Sequence, residues 1–228
     1  MHKSAKKIGY LFIDKFVNTH TDLTIIDIGS SDVNGSLKKY IDKSNKYIGI
    51  DLEKNKNVDI VLNDPYKLPF DDNSVDVVLS TSVFEHCEFF WVLFLEIMRV
   101  LKPNGIFYIN APSHGEYHAY PIDAWRFYPD AGLSLQNWAI KNKFDCSLIE
   151  SFVLKNEIEG WNDFVAIFIK DKKYIDKSKY KPIGLDVNNA VNIISFDKKY
   201  KHSISWNSST YQLIRVFYKK IFKIFKNK

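Results

Sequence analysis

The 228-residue sequence predicts a Rossmann-like, doubly wound α/β fold. A short apolar run at 24–28 ends beside a glycine, as a buried parallel strand does before a tight turn. Short apolar segments then alternate with amphipathic segments as far as residue 143, and two apolar segments follow without a helix between them. These observations predict a mostly parallel, seven-stranded sheet with helices on both faces and an antiparallel C-terminal hairpin.

The seven predicted strands are apolar and bounded by turn residues, as expected of strands that are covered on both faces. They span residues 24–28, 47–51, 58–62, 75–80, 106–110, 147–155 and 164–170.

Four helices are predicted from apolar residues that recur at helical spacing. The first, Lys6–Val17, is expected to cover the ligand-binding side of the sheet. The second spans Gly35–Ile41, and the third spans Phe89–Leu101 and is stopped by the turn residues Pro103, Asn104 and Gly105. The fourth is predicted over residues 131–143.

After residue 170 the sequence becomes rich in Lys, Asp, Asn and Ser and shows no long periodic segment as far as residue 207. We therefore predict one domain over 1–170 and an irregular extension over 171–228. The extension ends in a predicted amphipathic helix, 213–225, with apolar side chains on one half and basic side chains on the other. Residues 208–228 contain six basic and no acidic residues. The apolar half is expected to pack on this domain or a second subunit, and the alternative is contact with an anionic membrane surface.

Composition narrows the class of protein. The net charge of +5 arises in the tail, so the body lacks the basic face of a nucleic-acid enzyme, and we predict no nucleic-acid partner. Two cysteines do not make a disulfide framework. The sequence shows no secretory signal and no apolar run long enough to span a bilayer. We therefore expect a cytoplasmic protein that, if its tail binds lipid, is peripheral to the inner membrane face.

The first two strand ends indicate the ligand. Asp51 lies about 20 residues after the glycine turn, where an acid binds a ribose. The turn lacks the three glycines that close on a pyrophosphate, and Asp32 would repel one. Asp27 suits a cationic ligand. Because S-adenosylmethionine carries an adenosine, a sulfonium and an ammonium, we predict it as the cofactor.

In these features the sequence resembles the class I S-adenosylmethionine-dependent methyltransferases of the broad type called methyltransferase type 11. The resemblance covers roughly residues 24–170. The matching pieces follow one another in the family's order. They are Asp27-x-Gly29, Gly49–Leu52, Asp64 before Leu68-Pro69-Phe70, Val75–Ser80 leading to Glu85-His86, and Arg99–Gly105.

The resemblance implies a set of cofactor-binding residues. Asp27 and Gly29 would hold the methionine end, Asp51 the ribose hydroxyls and Asp64 the adenine amine, and Ser30, Leu52 and Ser80 complete the set.

The chain departs from the family at Pro65, which has no N–H to offer the adenine ring. The donor must shift to Tyr66 or to a water, or be lost. Residues 63–66 also resemble a motif of base-amine methyltransferases, but they follow the third strand rather than the fourth, which argues against that activity.

The segment 113–129 follows the fifth strand and combines histidines, acids, an arginine and several aromatic rings. It lies at the edge where open α/β sheets bind ligands, and such a mixture suits a sugar or another polar acceptor. Its alternative role is an ordered loop whose rings pack on the core. The candidate bases are His114, His118 and Asp123, and the candidate acceptor-binding residues are Trp125 and Arg126.

His86 is predicted to be structural or to line the cofactor site. Histidines and acids are present in this region, but their spacing matches no recognised metal-binding set, so no metal is predicted.

We expect a methyltransferase that modifies a hydroxyl on a glycan or small polar molecule, in line with the methyltransferases of surface-polysaccharide pathways that it resembles. The alternatives are N-methylation of a small metabolite or protein side chain, and a cofactor-binding protein without catalysis. A nicotinamide oxidoreductase is disfavoured by the missing glycines.

Overall fold

The computed structural model describes residues 3–32, 35–155, 160–178, 180–196 and 198–200, and it confirms the Rossmann-like α/β fold. One nine-stranded sheet has the strand order β3-β2-β1-β4-β5-β7-β6-β8-β9. The strands are β1 Thr24–Ile28, β2 Lys46–Asp51, β3 Ile60–Val61, β4 Val75–Thr81, β5 Leu101–His114, β6 Ser147–Leu154, β7 Asn162–Ile169, β8 Ala190–Ser195 and β9 Lys198–Tyr200. The helices are α1 Lys3–Phe12, α2 Phe90–Val100 and α3 Asp130–Lys141.

The strand order reverses beside β1, which pairs in parallel with β2 on one side and β4 on the other. The chain therefore leaves β1 and β4 in opposite directions across the sheet, and open α/β sheets bind ligands at such a switch point. The predicted antiparallel hairpin is confirmed, because β7 lies between β5 and β6 and is antiparallel to both.

The sheet is buried on both faces. The face covered by α2 and α3 carries residues such as Ile26, Val78 and Phe107, and the face covered by α1 carries Leu79 and Tyr108. Because successive side chains alternate between faces, Asp27, Thr81 and Asn110 lie on the α1 face and Ser80 lies on the α2 face.

Two local predictions require correction. The helix predicted over Gly35–Ile41 is a single 3₁₀ turn, Leu37–Tyr40, and α1 packs against it. The predicted turn at Pro103–Gly105 lies within β5, where the pairing with β4 jumps from Leu101 to Ile106. Strand β5 therefore bulges at this point, because its residues 102–105 oppose Asp76 alone.

The sheet has nine strands rather than seven because residues 190–200 of the predicted irregular extension form β8 and β9. A buried acid on β6 anchors this segment. Glu150 accepts hydrogen bonds from the backbone N–H groups of Ile183 and Gly184 and from the hydroxyl of Tyr180. Because the extension is rich in polar residues, hydrophobic periodicity did not predict β8 and β9. The predicted helix at 213–225 lies outside the described residues.

No helix among the residues that the structure describes is long and apolar enough to cross a membrane. Cys87 and Cys146 are both free and buried.

Candidate functional site

The turn after β1 brings backbone close to the switch point. Gly29 has φ +76°, a conformation that side chains other than glycine rarely adopt. A Cβ atom on Gly29 would also lie 2.2 Å from Cγ2 of Val83, so the turn after β4 fills the space beside this glycine. Backbone N–H groups of Gly29 and Ser30 both donate to Ile50 O, which ties the turn to β2.

Asp27 is a buried acid on β1, directly before this turn. The hydroxyl of Tyr47 on the neighbouring strand donates to Asp27 Oδ2 at 2.7 Å. Burial raises the pKa of the Asp27 carboxyl to about 7, the Tyr47 hydrogen bond opposes this rise, and the negative charge of Asp51 adds to it. Asp27 therefore changes its charge near neutral pH, where a cationic ligand would favour the ionised form.

Asp51 ends β2 with a partly exposed carboxylate. Oδ2 accepts the backbone N–H of Ser31 at 3.0 Å, and Oδ1 accepts that of Leu52 at 2.7 Å. Each oxygen keeps acceptor capacity, because a carboxylate oxygen has two lone-pair directions. The side chain of Leu52 is 52% exposed beside this carboxylate. An apolar surface and a fixed acceptor pair thus stand together at the strand end.

The remaining predicted cofactor-side residues differ in how they are placed. Ser30 turns its hydroxyl inward to donate to Asn57 O at 3.1 Å. Asp64 lies exposed in the turn after β3, and its Oδ1 accepts the backbone N–H of Tyr66 at 2.8 Å. The donor that the sequence offered in place of Pro65 is therefore occupied by Asp64 itself.

Several buried polar atoms in β4, in the turn after it and in β5 lack a hydrogen-bond partner among the described residues. They are Ser80 Oγ, Thr81 Oγ1, Glu85 Oε2, Tyr108 Oη and Asn110 Nδ2. Thr81 and Asn110 are register partners, so their two unpaired atoms lie on neighbouring strands. Buried polar groups are almost always hydrogen-bonded in folded proteins, so the Thr81 and Asn110 atoms mark a place for water or ligand.

The loop after β5 is organised around one ion pair. Arg126 binds both carboxylate oxygens of Asp123, at 2.5 and 2.6 Å, and also the carbonyl oxygens of Glu116 and Trp125. The Arg126 guanidinium holds the pKa of Asp123 well below its usual range. Asp123 Oδ2 also accepts the backbone N–H of His118 at 2.7 Å and lies 3.3 Å from its Nδ1.

The side chains of the other two predicted residues of this segment, His114 and Trp125, make different contacts. His114 is exposed at the end of β5, opposite Asn162. Trp125 packs its ring against Phe90 and Trp91 on α2, and its Nε1 donates to Cys87 O at 3.0 Å. This ring is part of the aromatic packing around α2.

Three tyrosines of the same segment are largely exposed instead. Tyr117 is 77% exposed, Tyr120 74% and Tyr128 65%. Exposed rings on an ordered loop can stack on the flat face of a ligand such as a sugar.

A compact group of acid and imidazole side chains lies between the turn after β4 and the loop after β5. Glu85, His86 and His118 each bring one nitrogen or oxygen atom to within 4.8 Å of the others. The loop is fixed to this turn because Ala124 N–H donates to Glu85 O at 2.8 Å. Burial raises the pKa of Glu85 to about 8, and the Arg126 charge opposes this rise.

The sequence pattern indicated His118 and Asp123 as candidate bases and Glu85 only as part of a family motif, and it did not single out Asn110. A signal was available for both. Asn110 ends the predicted strand 106–110 and Glu85 follows the predicted strand 75–80 by five residues, so both lie near the edge where ligands bind. Only the structure shows that their side chains are buried.

Comparison with known proteins finds a family match for the part of the chain that runs from β1 into β5, whereas the loop after β5 lies outside it. Residues 26–109 match a family model described as a methyltransferase domain. The phthiotriol/phenolphthiotriol dimycocerosates methyltransferase of Mycobacterium tuberculosis is 31% identical over an alignment of 126 residues that covers 46% of this chain and 46% of that protein. The chain thus spans less than half the length of the curated relatives it matches.

Solved structures with low sequence identity share the fold. The 1,6-didemethyltoxoflavin-N1-methyltransferase of Burkholderia thailandensis, solved with S-adenosylhomocysteine, has a TM-score of 0.55 at 12% identity, over 75% of this chain and 80% of that one. The [4+2]-cyclase SpnF has a TM-score of 0.54 at 13% identity, over 73% of this chain and 81% of that one. The recognition of a class I methyltransferase domain from the sequence is confirmed by the family match and this shared fold.

Proposed function

We propose that this chain, whose residues 26–109 match the model of a methyltransferase domain, transfers a methyl group from S-adenosylmethionine to a small polar acceptor. One observation carries the proposal. The positive-φ Gly29, the exposed Leu52 and the fixed carboxylate of Asp51 share the edge of the sheet at its switch point. This arrangement fits an adenosine ligand and offers no glycine-rich cradle for a pyrophosphate.

The residues fit the cofactor in a specific way. The free acceptor directions of Asp51 would take the two ribose hydroxyls, and Leu52 would lie against the adenine. Asp27, in its ionised form, would attract the ammonium group. Asp64 keeps Oδ2 available for the adenine amine, because Tyr66 N–H occupies Oδ1. Ser80, whose hydroxyl is buried without a partner among the described residues, would line the cleft.

The cofactor supplies a methyl group already activated by its sulfonium, so the protein mainly aligns the reactants and excludes water. Oxygen is the proposed nucleophile. As it bonds to the methyl carbon, the carbon–sulfur bond breaks and the hydroxyl proton must leave. His118 Nε2 is the proposed proton acceptor, since Asp123 faces Nδ1 and would stabilise the imidazolium.

Asp123 is less suited to accept that proton itself, because the Arg126 ion pair lowers its pKa. Arg126 is likewise less suited to bind the acceptor, because its guanidinium already donates hydrogen bonds to Asp123 and to the carbonyl oxygen of Glu116. The exposed rings of Tyr117 and Tyr120 support a glycan or another acceptor with a flat face. Trp125 could contact an acceptor only with the part of its ring that α2 leaves open.

The test is a series of variants assayed on a panel of sugar nucleotides and lipid-linked glycans. His118→Ala should lower turnover by roughly 10²–10⁴ and leave cofactor affinity nearly intact. Asp123→Asn should have a smaller effect, because Asp123 positions His118. Loss of turnover on His114→Ala, with full activity of His118→Ala, would move the base to the end of β5.

The same experiments distinguish two alternative functions from the proposed O-methylation. An amine acceptor is nucleophilic once neutral, so N-methylation would tolerate His118→Ala and proceed on amine substrates in the same panel. A protein that binds S-adenosylmethionine without catalysis would bind it in calorimetry and transfer no methyl group. The cyclase among the fold neighbours shows that this fold alone does not decide the reaction.

We also propose a role for the tail at 208–228, which lies outside the described residues. Its six basic residues and clean division into two halves fit either protein packing or an anionic membrane, and the packing role is favoured. If it binds membrane, the intact chain should sediment with anionic vesicles and a chain ending at Asn207 should not. Salt should release it, because surface charges are screened within about 8 Å at physiological ionic strength. Unchanged sedimentation of the shortened chain would leave packing as its role.

A further inference from the structure

We propose that Glu85, His86 and His118 bind a divalent transition-metal ion of the Zn²⁺ class beside the acceptor. Their nitrogen and oxygen atoms lie within 4.8 Å of one another, and Glu85 Oε1 is 3.7 Å from His86 Nε2. Ligand atoms about 2 Å from a shared ion lie roughly 3 Å apart, so small side-chain rotations would complete the site. The inference rests on the proposed acceptor site, because both use His118.

The histidines are oriented as metal-binding histidines usually are. Such a histidine offers one ring nitrogen to the ion and gives the other N–H to a carbonyl or carboxylate. His86 Nδ1 is hydrogen-bonded to Ile122 O, which leaves Nε2 facing Glu85. His118 Nδ1 lies 3.3 Å from Asp123 Oδ2. The rings of His86 and His118 meet edge to face, with centroids 5.0 Å apart.

An independent observation points to a ligand at the same place. The side chain of Glu85 is 1% exposed, and its Oε2 has no hydrogen-bond partner among the described residues. Leaving a buried carboxylate oxygen unpaired costs free energy, and a bound cation would supply its partner. Asp123 is already paired with Arg126, so that arginine does not fill this role.

The donor set selects the class of ion. Two imidazoles and one carboxylate suit Zn²⁺, Fe²⁺ or Mn²⁺, whereas Mg²⁺ prefers oxygen ligands alone. Three protein ligands leave a coordination position open, as in catalytic metal sites. An acceptor hydroxyl could enter that position, where the ion lowers its pKa. With the ion bound, His118 is a ligand rather than the base, and the acidified hydroxyl releases its proton to solvent water before it attacks the methyl carbon.

The test is Zn²⁺ binding to the full chain after chelation and dialysis, followed by calorimetry and elemental analysis. We expect one ion per chain and no comparable binding of Mg²⁺. His118→Gln and Glu85→Gln should each weaken binding by about 100-fold or more, and Asp123→Asn by about 10–100-fold. His20→Ala is the matched control, because His20 is exposed in the turn before β1 and should leave binding unchanged.

Co²⁺ substitution gives a second readout, since its visible spectrum should show nitrogen ligands in the wild type and lose them in His86→Gln. Unchanged Zn²⁺ affinity in folded His118→Gln and Glu85→Gln variants would overturn the site. Full turnover of the metal-free protein would overturn the ion's role in the reaction. S-adenosylmethionine binding to the metal-free chain separates the two proposals. Cofactor binding without Zn²⁺ binding overturns only the metal site, and the reverse overturns only the proposed function.

Discussion

At the scale of single residues, two carboxylates on neighbouring strands have become chemically different groups. Asp27 is buried and bonded to Tyr47, whereas Asp51 is partly exposed and holds two backbone N–H groups. The sequence predicted both positions, because each acid follows an apolar strand at the ligand-binding edge. It could not predict Tyr47 as a partner, since that contact depends on the pairing of β1 with β2.

The pKa of Asp27 leads to a prediction about pH. An ammonium group pairs with the ionised carboxylate, and the Asp27 pKa is about 7 in the folded protein. The affinity for S-adenosylmethionine should therefore rise by up to about tenfold between pH 6 and pH 7.5. Calorimetry at several pH values measures this rise, and Asp27→Asn should remove most of it.

Asp27 should also make the stability of the unliganded protein depend on pH. The pKa of Asp27 in the folded protein lies above the ordinary aspartate value of 3.8, so the folded state holds the proton more tightly than the unfolded chain does. The Asp27 contribution to stability is therefore present at low pH and is lost as pH rises from about 4 to 7. In thermal denaturation, Asp27→Asn should gain stability relative to wild type across that window. A difference that is constant with pH would contradict the assigned pKa.

At the scale of elements, the site is made by turns that touch one another across strand ends. Gly29 after β1 meets Val83 after β4, and Lys6 on α1 approaches Gly35. The apolar runs and turn residues predicted most strand positions. They did not predict that the segment after β1 is a single 3₁₀ turn, because its few apolar residues fit a longer helix equally well.

Gly29→Ala tests this contact between turns. The substitution should cost about 1–3 kcal/mol for its positive φ and about 1–3 kcal/mol more for the clash with Val83. Gly160→Ala is a matched control, since Gly160 has φ +70° and no atom of the described residues lies within 4 Å of an added Cβ. Chemical denaturation should show the larger loss for Gly29→Ala.

The double variant Gly29→Ala/Val83→Ala separates the two costs. It should recover part of the loss, because the shorter side chain removes the clash and leaves only the backbone strain. Equal losses for the two single glycine variants would mean that Val83 does not constrain the turn.

At the scale of the whole molecule, the sheet joins the predicted domain to much of its predicted extension. Strand β8 pairs with β6, and Glu150 holds the segment before it. The alternation of strands and helices predicted the fold class, whereas short polar strands such as β9 carry no periodic signal. The division of the chain at residue 170 stays a prediction, as do the roles of the site residues.

Function cannot be taken from the fold at this scale, because related folds host different chemistry. The predicted acceptor loop shows why. Its composition indicated an acceptor site, but only coordinates show that Trp125 packs on α2 while Tyr117 and Tyr120 face outward.

Calorimetric titration with S-adenosylmethionine tests the central claim most directly. The wild-type chain should bind it, and Asp51→Ala should weaken binding by about 1.5–3 kcal/mol, or roughly 10–150-fold. Asp59→Ala is the control, because Asp59 also accepts a backbone N–H, from Gly49 at 2.8 Å, without a proposed role in binding. It should bind as the wild type does. Unchanged affinity in a folded Asp51→Ala variant would remove Asp51 from the site, and binding of NADH in preference to S-adenosylmethionine would contradict the account as a whole.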